Sequence, residues 1–195
     1  MTLHDRPLPI NQIETRRPQT ADWASVTLGG TNLYARDKGV LRASIDRLQK
    51  SIETALAAHF CLIRPVLQNV VGRELAETIP DRVFGAVLGR ALRFGTVRAV
   101  ACLTINNNIL RIYLLASRYP EFDKKVQASI ALLKSQSAVS VLAVQSACFP
   151  SREWGSRYMA QQVMGYLALR GLAVFVDKDL FSWPRGIDDA IRANH

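Results

Sequence analysis

The clearest structural signal in the chain is the segment at residues 41–56, which reads LRASIDRLQKSIETAL. Leucine and isoleucine recur in this segment at spacings of three or four residues, and the same pattern continues as far as Leu75. That spacing places the apolar side chains on one face of an α-helix. The sequence therefore predicts a long helical segment.

Two residues set the limits of this helical segment. Asp37 precedes it, and an aspartate in that position caps the free N–H groups of a first helical turn. Pro65 lies within it and has no N–H to donate, so it interrupts the helical hydrogen bonds. We predict two helices, near 38–63 and 65–78, and Pro80 follows the second.

Strand patterns follow the helical segment. Residues 97–105 and 109–116 are predicted strands, joined by three asparagines that suit a hairpin turn because asparagine tolerates a positive φ. The preceding apolar run at 83–92 fits either a helix or a strand. Residues 121–135 have apolar side chains at helical spacing and predict another amphipathic helix.

The last part of the sequence predicts a βαβ unit. Residues 139–144 and 172–176 are apolar runs typical of buried strands. Between them a helix is expected from Ser151, its N-cap, to Arg170, followed by Gly171 where a helix-ending glycine belongs. A strand, helix and strand in this order pair the two strands in parallel.

The N-terminal residues are expected to be organised differently. Residues 1–37 are predicted to be an arm with a short edge strand at 7–13, where proline is tolerated. Residues 38–195 are predicted to form a single domain. The predicted fold class is therefore α/β (α+β), with a mixed sheet, a C-terminal βαβ unit and a long helical segment.

The composition excludes several classes of protein. Hydrophobic residues make up 49% of the 195, which a mainly disordered chain does not have. The N-terminus lacks the apolar core of a signal peptide, and no apolar run reaches the length of a membrane span. The three cysteines, Cys61, Cys102 and Cys148, lie far apart in apolar runs. That pattern is typical of reduced, buried thiols, so we expect a cytoplasmic protein, with peripheral attachment to a membrane surface left open.

The distribution of charge indicates an anionic partner. The net charge is +9, and most of the basic residues are arginines, whose planar fork of donors matches phosphate. No acidic residue lies between Asp81 and Glu121, a stretch that contains six arginines. We predict that Arg90, Arg93 and Arg98 bind phosphate. The alternative is a solvated basic face.

Two further groups of arginines are candidates for phosphate contact. Arg152 and Arg157 lie in the predicted turn that opens the C-terminal helix, where free N–H groups attract anions. We predict that both bind nucleotide or phosphate. Arg16 and Arg17 are predicted to form a nucleic-acid-contacting arm, and the alternative is a solvated turn.

Three carboxylates are candidates for catalysis. The predicted parallel sheet brings the ends of its strands to one side, which places Glu153 near Asp177 and Asp179. We predict catalytic roles for all three, and a Mg²⁺ site at Glu153 and Asp177, because Mg²⁺ prefers carboxylate oxygens and activates water or holds a phosphoryl group. The alternative is structural, with Glu153 paired to Arg157 and the aspartates capping a loop.

Two stretches resemble a known family. Residues 6–18, RPLPINQIETRRP, and the turn at 150–157 are similar to the fertility-inhibition proteins of conjugative plasmids, of the oncogenic suppressive activity type. The resemblance implies a ParB/sulfiredoxin-like fold, nucleotide hydrolysis, DNA cleavage and a block on DNA transfer through a type IV secretion system. It also implies that Gly89 and Arg90 match part of the family's phosphate loop.

The resemblance implies a plasmid-type, bacterial fertility-inhibition factor. It is expected to block conjugative or T-DNA transfer by binding DNA or nucleotide, with Mg²⁺ and ATP as cofactors of ATPase and deoxyribonuclease activity. Type IV secretion components and the inner membrane surface are further expected partners. One alternative is a non-enzymatic module that binds a secretion component through the helical region 41–78. The other is a nucleotide-binding regulator without hydrolysis.

Overall fold

The computed structural model describes residues 7–17, 19, 23–28, 30–149 and 155–184, and it confirms the mixed α/β class. The chain divides into two compact units. Unit 1 consists of Met1–Ala99 with Tyr113–Ser117, and unit 2 consists of Val100–Ile112 with Arg118–His195. The division into an arm at 1–37 and one domain at 38–195 stays a prediction.

Three helices of unit 1 arise from the long helical segment and the apolar run after it. They are α1 at Lys38–Ala58, α2 at Arg64–Leu75 and α3 at Asp81–Arg93. The predicted cap is confirmed, because the Asp37 carboxylate accepts hydrogen bonds from the N–H groups of Gly39 and Val40. The predicted division into two helices is also confirmed, and Pro65 lies in the first turn of α2. The predicted end of the first helix near 63 is wrong, because α1 ends at Ala58 and residues 62–63 form a short strand.

The segment before α1 differs from the predicted edge strand at 7–13. Ile10–Gln12 form a single turn of 3-10 helix, which begins after Pro9. Ile10 and Ile13 are buried, so their side chains belong to the core of unit 1. Proline at Pro7 and Pro9 cannot donate to a strand ladder, and this favours the turn over the strand.

A hairpin that the sequence analysis did not predict completes this end of unit 1. Strands β1, Ala24–Leu28, and β2, Thr31–Ala35, pair antiparallel through a turn at Gly30, whose φ is +79°. The hairpin packs on α1, and the fully buried apolar face of α1 packs on α2 and α3. The sequence pattern therefore identified the core of unit 1 correctly on α1, where these side chains lie: Leu41, Ile45, Leu48, Ile52 and Leu56.

The predicted strand pair around the three asparagines is confirmed. Strands β4, Val97–Leu103, and β5, Ile109–Leu115, flank a turn in which Asn107 has a φ of +58°. A short strand β3, Leu62–Ile63, completes a three-stranded sheet of order β3-β5-β4. The apolar run at 83–92, which fitted a helix or a strand, is helical and lies within α3.

The described residues of unit 2 form three more α-helices: α4 at Tyr119–Ser135, α5 at Val141–Cys148 and α6 at Ser156–Leu169. The amphipathic helix predicted at 121–135 is confirmed as α4. Gly171 follows α6 with a φ of +70°, as expected for a glycine that ends a helix. The N-cap predicted at Ser151 lies outside the described residues.

The predicted βαβ unit is wrong in its pairing. Only Val139–Ser140 of the run at 139–144 form a strand, β6, and α5 begins immediately after it. Strand β7, Val174–Asp177, does not pair with β6, because β8, Leu180–Ser182, lies between them and is antiparallel to both. The Ser140 hydroxyl accepts a hydrogen bond from the Ala143 N–H, and this cap starts a helix where a strand was predicted.

The three cysteines are buried and form no disulfide, as expected. Burial raises the pKa of the Cys61 thiol to about 12, from an ordinary value of 9.0. The folded state therefore favours the protonated thiol. Its contribution to stability is complete below pH 9 and is lost as the pH rises toward 12, because the unfolded chain releases this proton first.

We expect Cys61→Ala to reduce the loss of stability between pH 9 and pH 11. The natural chain loses free energy of unfolding in this interval partly because its unfolded thiol ionises, and alanine has no proton to release. Urea unfolding at a series of pH values measures the effect. All other titrating groups are the same in both proteins, so a difference between the two pH slopes reports on Cys61. Identical pH slopes in the two proteins contradict the prediction.

Candidate functional site

The predicted phosphate-binding residues of unit 1 lie near the end of α3 and the start of β4. Gly89, Arg90 and Arg93 belong to α3, and Arg98 is the second residue of β4. Arg93 and Arg98 are exposed, although the neighbouring β4 residue Val100 is buried. The strand position of Arg98 therefore allows its head group to reach solvent, as expected for a basic residue at a strand start.

Arg90 is held by a carboxylate from another helix. Its Nη1 donates to Asp46 Oδ1 of α1 over 2.6 Å, and the Asp46 side chain is 62% exposed. Exposed ion pairs contribute little to stability, so the main effect of this pair is geometric. It fixes the last turn of α3 beside the exposed face of α1.

The exposed face of α1 adds two cations beside this ion pair. Arg42, Asp46 and Lys50 are exposed and four residues apart, so they lie on one stripe at intervals of about 6 Å along the helix. Glu53, on the same stripe, is half-buried and accepts a hydrogen bond from Gln49. The ion pair between Asp46 and Arg90 brings the stripe next to α3.

We call this face the α1–α3 basic surface. It consists of four cations, Arg42, Lys50, Arg90 and Arg93, together with the exposed ring of Phe94. Asp46 is the carboxylate that joins the two helices. Three of these four cations are exposed, and Arg90 is partly exposed. A polyanion therefore meets an excess of positive charge here.

Phe94 follows the last residue of α3 and is 69% exposed. The chain reverses just after it, because Thr96 N–H donates to Ala91 O and Gly95 N–H donates to Leu92 O. This pair of bonds is the Schellman arrangement that ends many helices, and it requires the positive φ of +72° at Gly95. The turn is thus built by backbone groups and a glycine.

The turn does not need an aromatic residue at position 94. Phe94 has helical backbone angles, φ −74° and ψ −5°, which any residue adopts, and its ring lies outside the core. The ring is in contact with the Arg90 guanidinium, whose Cζ lies 5.5 Å from the ring centroid. An exposed cation–π contact stabilises by about 0.5–1 kcal/mol and holds the ring against α3.

The candidate residues of unit 2 form a different arrangement. Arg157 Nη2 donates to Asp179 Oδ2 over 2.6 Å, and the Asp179 carbonyl accepts from the Val141 N–H. Asp179 therefore joins the starts of α5 and α6 to the turn between β7 and β8. Asp177 is exposed, and its Oδ1 accepts from the N–H of Lys178.

The expected magnesium site is only partly within the described residues. Glu153 and Arg152 lie outside them, and the residues that are described contain no group of three histidine, cysteine, aspartate or glutamate side chains arranged to hold a metal ion. Of the two described aspartates, Asp179 forms an ion pair with Arg157. The binding of Mg²⁺ and ATP stays a prediction.

The two predicted groups belong to different units. Gly89, Arg90, Arg93 and Arg98 lie in unit 1, whereas Arg157, Asp177 and Asp179 lie in unit 2. Arg16 and Arg17, predicted as an arm, are exposed in unit 1, and the preceding Glu14 pairs with the backbone of Tyr34 in β2.

Sequence reasoning missed three residues of the α1–α3 basic surface: Arg42, Lys50 and Phe94. The sequence does indicate the first two: Arg42, Asp46 and Lys50 are spaced four residues apart, on the side of α1 away from its apolar stripe. The sequence does not indicate Phe94, because the exposure of its ring depends on the reversal at Gly95.

No protein-family model matches the chain, and no curated protein is similar enough in sequence to match it. Among the helices of the described ranges, none has the length and hydropathy needed to span a membrane.

Proposed function

We propose that the protein binds nucleic acid through the α1–α3 basic surface. The observation that carries this proposal is the hydrogen bond between Arg90 and Asp46, which gathers cations from two helices on one exposed face. Arg42 and Lys50 come from α1, and Arg93 comes from the last turn of α3.

The charges of this surface suit phosphate. Arginine guanidinium groups form paired hydrogen bonds with phosphate oxygens, and lysine acts as a mobile point charge. Each phosphate neutralised releases condensed counterions, so binding is expected to weaken steeply as salt concentration rises. Arg93 also lies at the negative end of the α3 helix dipole, where a cation stabilises the helix. If that were its only role, nucleic-acid binding would not depend on salt through Arg93.

In the cell, we propose that this binding serves fertility inhibition. The protein would act in the bacterial cytoplasm, or at the inner membrane surface, and block conjugative or T-DNA transfer through a type IV secretion system. The support is the resemblance of residues 6–18 and 150–157 to fertility-inhibition proteins. Hydrolysis that uses Glu153, Asp177 and Asp179 with Mg²⁺ and ATP is a separate part of the proposal.

The alternative proposal is a non-enzymatic module that binds a secretion component through the helical region 41–78. Most of the large apolar residues of that region are buried within unit 1, although Val66 is 37% exposed, so a partner would mainly meet the polar face, which carries Arg42 and Lys50. Charge reversal of these two residues affects both proposals. The two differ in whether added nucleic acid competes with the protein partner.

We expect Arg93→Ala to weaken binding of an oligonucleotide about fivefold to tenfold at 0.1 M salt, through loss of about one phosphate contact. Fluorescence anisotropy between 50 and 300 mM salt measures the affinity and its salt slope, which is expected to fall by about one. Arg73→Ala is the matched control, since Arg73 is exposed in the last turn of α2 and lies outside the α1–α3 basic surface.

Equal losses in the Arg93 and Arg73 variants would show that only the net charge matters, and would overturn the assignment of the surface. Affinity that does not respond to salt would overturn the phosphate-contact proposal itself. Conjugation efficiency from cells that express each variant then tests the role in DNA transfer.

A further inference from the structure

We propose that the Phe94 ring stacks on an unpaired base, so that the protein prefers single-stranded to duplex nucleic acid. This inference rests on the proposed function and adds the class of nucleic acid. Phe94 is the most exposed of the large apolar side chains in the part of the chain that the structure describes. Its fractional exposure of 69% leaves most of the ring accessible.

The ring is positioned by the chain around it. The Arg90 guanidinium lies 5.5 Å from the ring centroid, and Asp46 holds that guanidinium from α1. The hydrogen bonds of Gly95 and Thr96 fix the backbone on the other side of Phe94. A ring that is held in place loses little conformational entropy when a ligand packs on it.

The surroundings of the ring select a ligand that is flat and carries negative charge. An exposed aromatic ring offers a stacking surface to any base, and the cations of the α1–α3 basic surface attract the phosphates that link the bases. An isolated apolar partner would gain nothing from the cations. A nucleotide strand uses both features together.

Base pairing decides between single strands and duplexes. In a duplex each base is already stacked on its neighbours, and exposing one face costs unstacking energy. In a single strand the bases have accessible faces, and stacking on an aromatic side chain contributes about fivefold to 100-fold in affinity for each base. The phosphates of a duplex still reach the cations, so duplex binding depends on charge without the ring.

The test compares four proteins on two probes. A fluorescein-labelled single-stranded 20-mer and a duplex of the same length are titrated with the natural chain and with Phe94→Ala, Phe94→Leu and Phe94→Trp. We expect Phe94→Ala and Phe94→Leu to lose about tenfold in affinity for the single strand and less than twofold for the duplex. Phe94→Trp is expected to retain single-strand affinity, because its larger ring also stacks.

The salt slope separates this inference from the proposed function. We expect the slope to be unchanged in all Phe94 variants, because no phosphate contact is removed. Base stacking is overturned if Phe94→Ala loses equal affinity for the single strand and the duplex, or if it loses none. The comparison of the Arg93 and Arg73 variants does not depend on that result. Failure of the natural chain to bind either probe overturns both. Leu142→Ala, which truncates another exposed apolar side chain at 65% exposure, is the control for loss of apolar surface.

Discussion

Gly165→Ala is expected to destabilise unit 2 by about 3 kcal/mol, at the upper end of the cost of overpacking. Gly165 is buried in the middle of α6, and a Cβ added there would lie 2.5 Å from the backbone oxygen of Leu103. The obstacle is backbone in β4, so it cannot move aside as the end of a side chain does. Helix propensity favours alanine by about 1 kcal/mol and offsets only part of this loss.

Gly89→Ala is the matched control. Gly89 is also inside a helix, but a Cβ added there meets no heavy atom within 4 Å. Alanine is therefore expected to stabilise α3 by about 0.5–1 kcal/mol. Urea unfolding and hydrogen exchange of α6 and α3 amides measure the two effects, and loss of stability at both positions would contradict the packing argument.

Gly89 is also a predicted phosphate-binding residue, so the control has a second use. A glycine is needed for ligand binding where the ligand approaches the backbone closely. If Gly89→Ala weakens oligonucleotide binding while it stabilises α3, the backbone at Gly89 is part of the site. Unchanged binding leaves recognition to the arginine side chains.

Ile10→Ala is expected to destabilise unit 1 by about 3 kcal/mol, within the range for large apolar side chains truncated in a core. Ile10 is fully buried, and its N–H donates to the Glu77 carboxylate, which also accepts from Arg47. The Ser44 hydroxyl of α1 donates to the carbonyl of Leu8. These contacts join the residues before β1 to α1 and to the segment after α2.

Asn11→Ala is the matched control, because Asn11 is exposed in the same 3-10 turn. The free energy of unfolding of the Asn11→Ala protein is expected to stay within about 0.5 kcal/mol of the natural value. Hydrogen exchange of α1 amides during urea unfolding reports on unit 1 alone. An equally small effect of Ile10→Ala would mean that the first residues form the separate arm that the sequence predicts.

The parts of the fold that the sequence predicted are those with a local cause. Asp37 caps α1 through backbone groups two and three residues away, and Asn107 adopts the positive φ that its short polar side chain tolerates. Helix α1 has 21 residues, and its apolar face from Leu41 to Leu56 is long enough for its period to be unambiguous. In each case the structure depends on residues close in the sequence.

The run at 139–144 also has a local cause, but its hydrophobic pattern does not reveal it. It is too short for a helical period to be distinguished from a strand period, and the hydroxyl of Ser140 decides the outcome by capping α5. Strand β8 was not predicted from the sequence, yet Phe181 is fully buried there. Phe181 pairs with Phe175 in the neighbouring β7 and with Val139 in β6, and β6 is distant in the sequence.

The candidate site also combines a feature that the sequence shows directly with one that depends on distant residues. The absence of acidic residues between Asp81 and Glu121 can be read directly from the sequence. The partner of Arg90 cannot, because Asp46 is 44 residues away and no local pattern indicates which acid it meets. That contact identifies which cations share a surface, so the composition of the site required the structure.

The order of strands in unit 2 has a consequence during translation. β8 separates β6 from β7 and is hydrogen-bonded to both, yet it leaves the ribosome after them. A nascent chain that has reached only Asp177 carries α4, α5 and α6 but has no strand to join β6 with β7. Until Leu180–Ser182 emerge, the unpaired edges of β6 and β7 are open to chaperones and to neighbouring nascent chains.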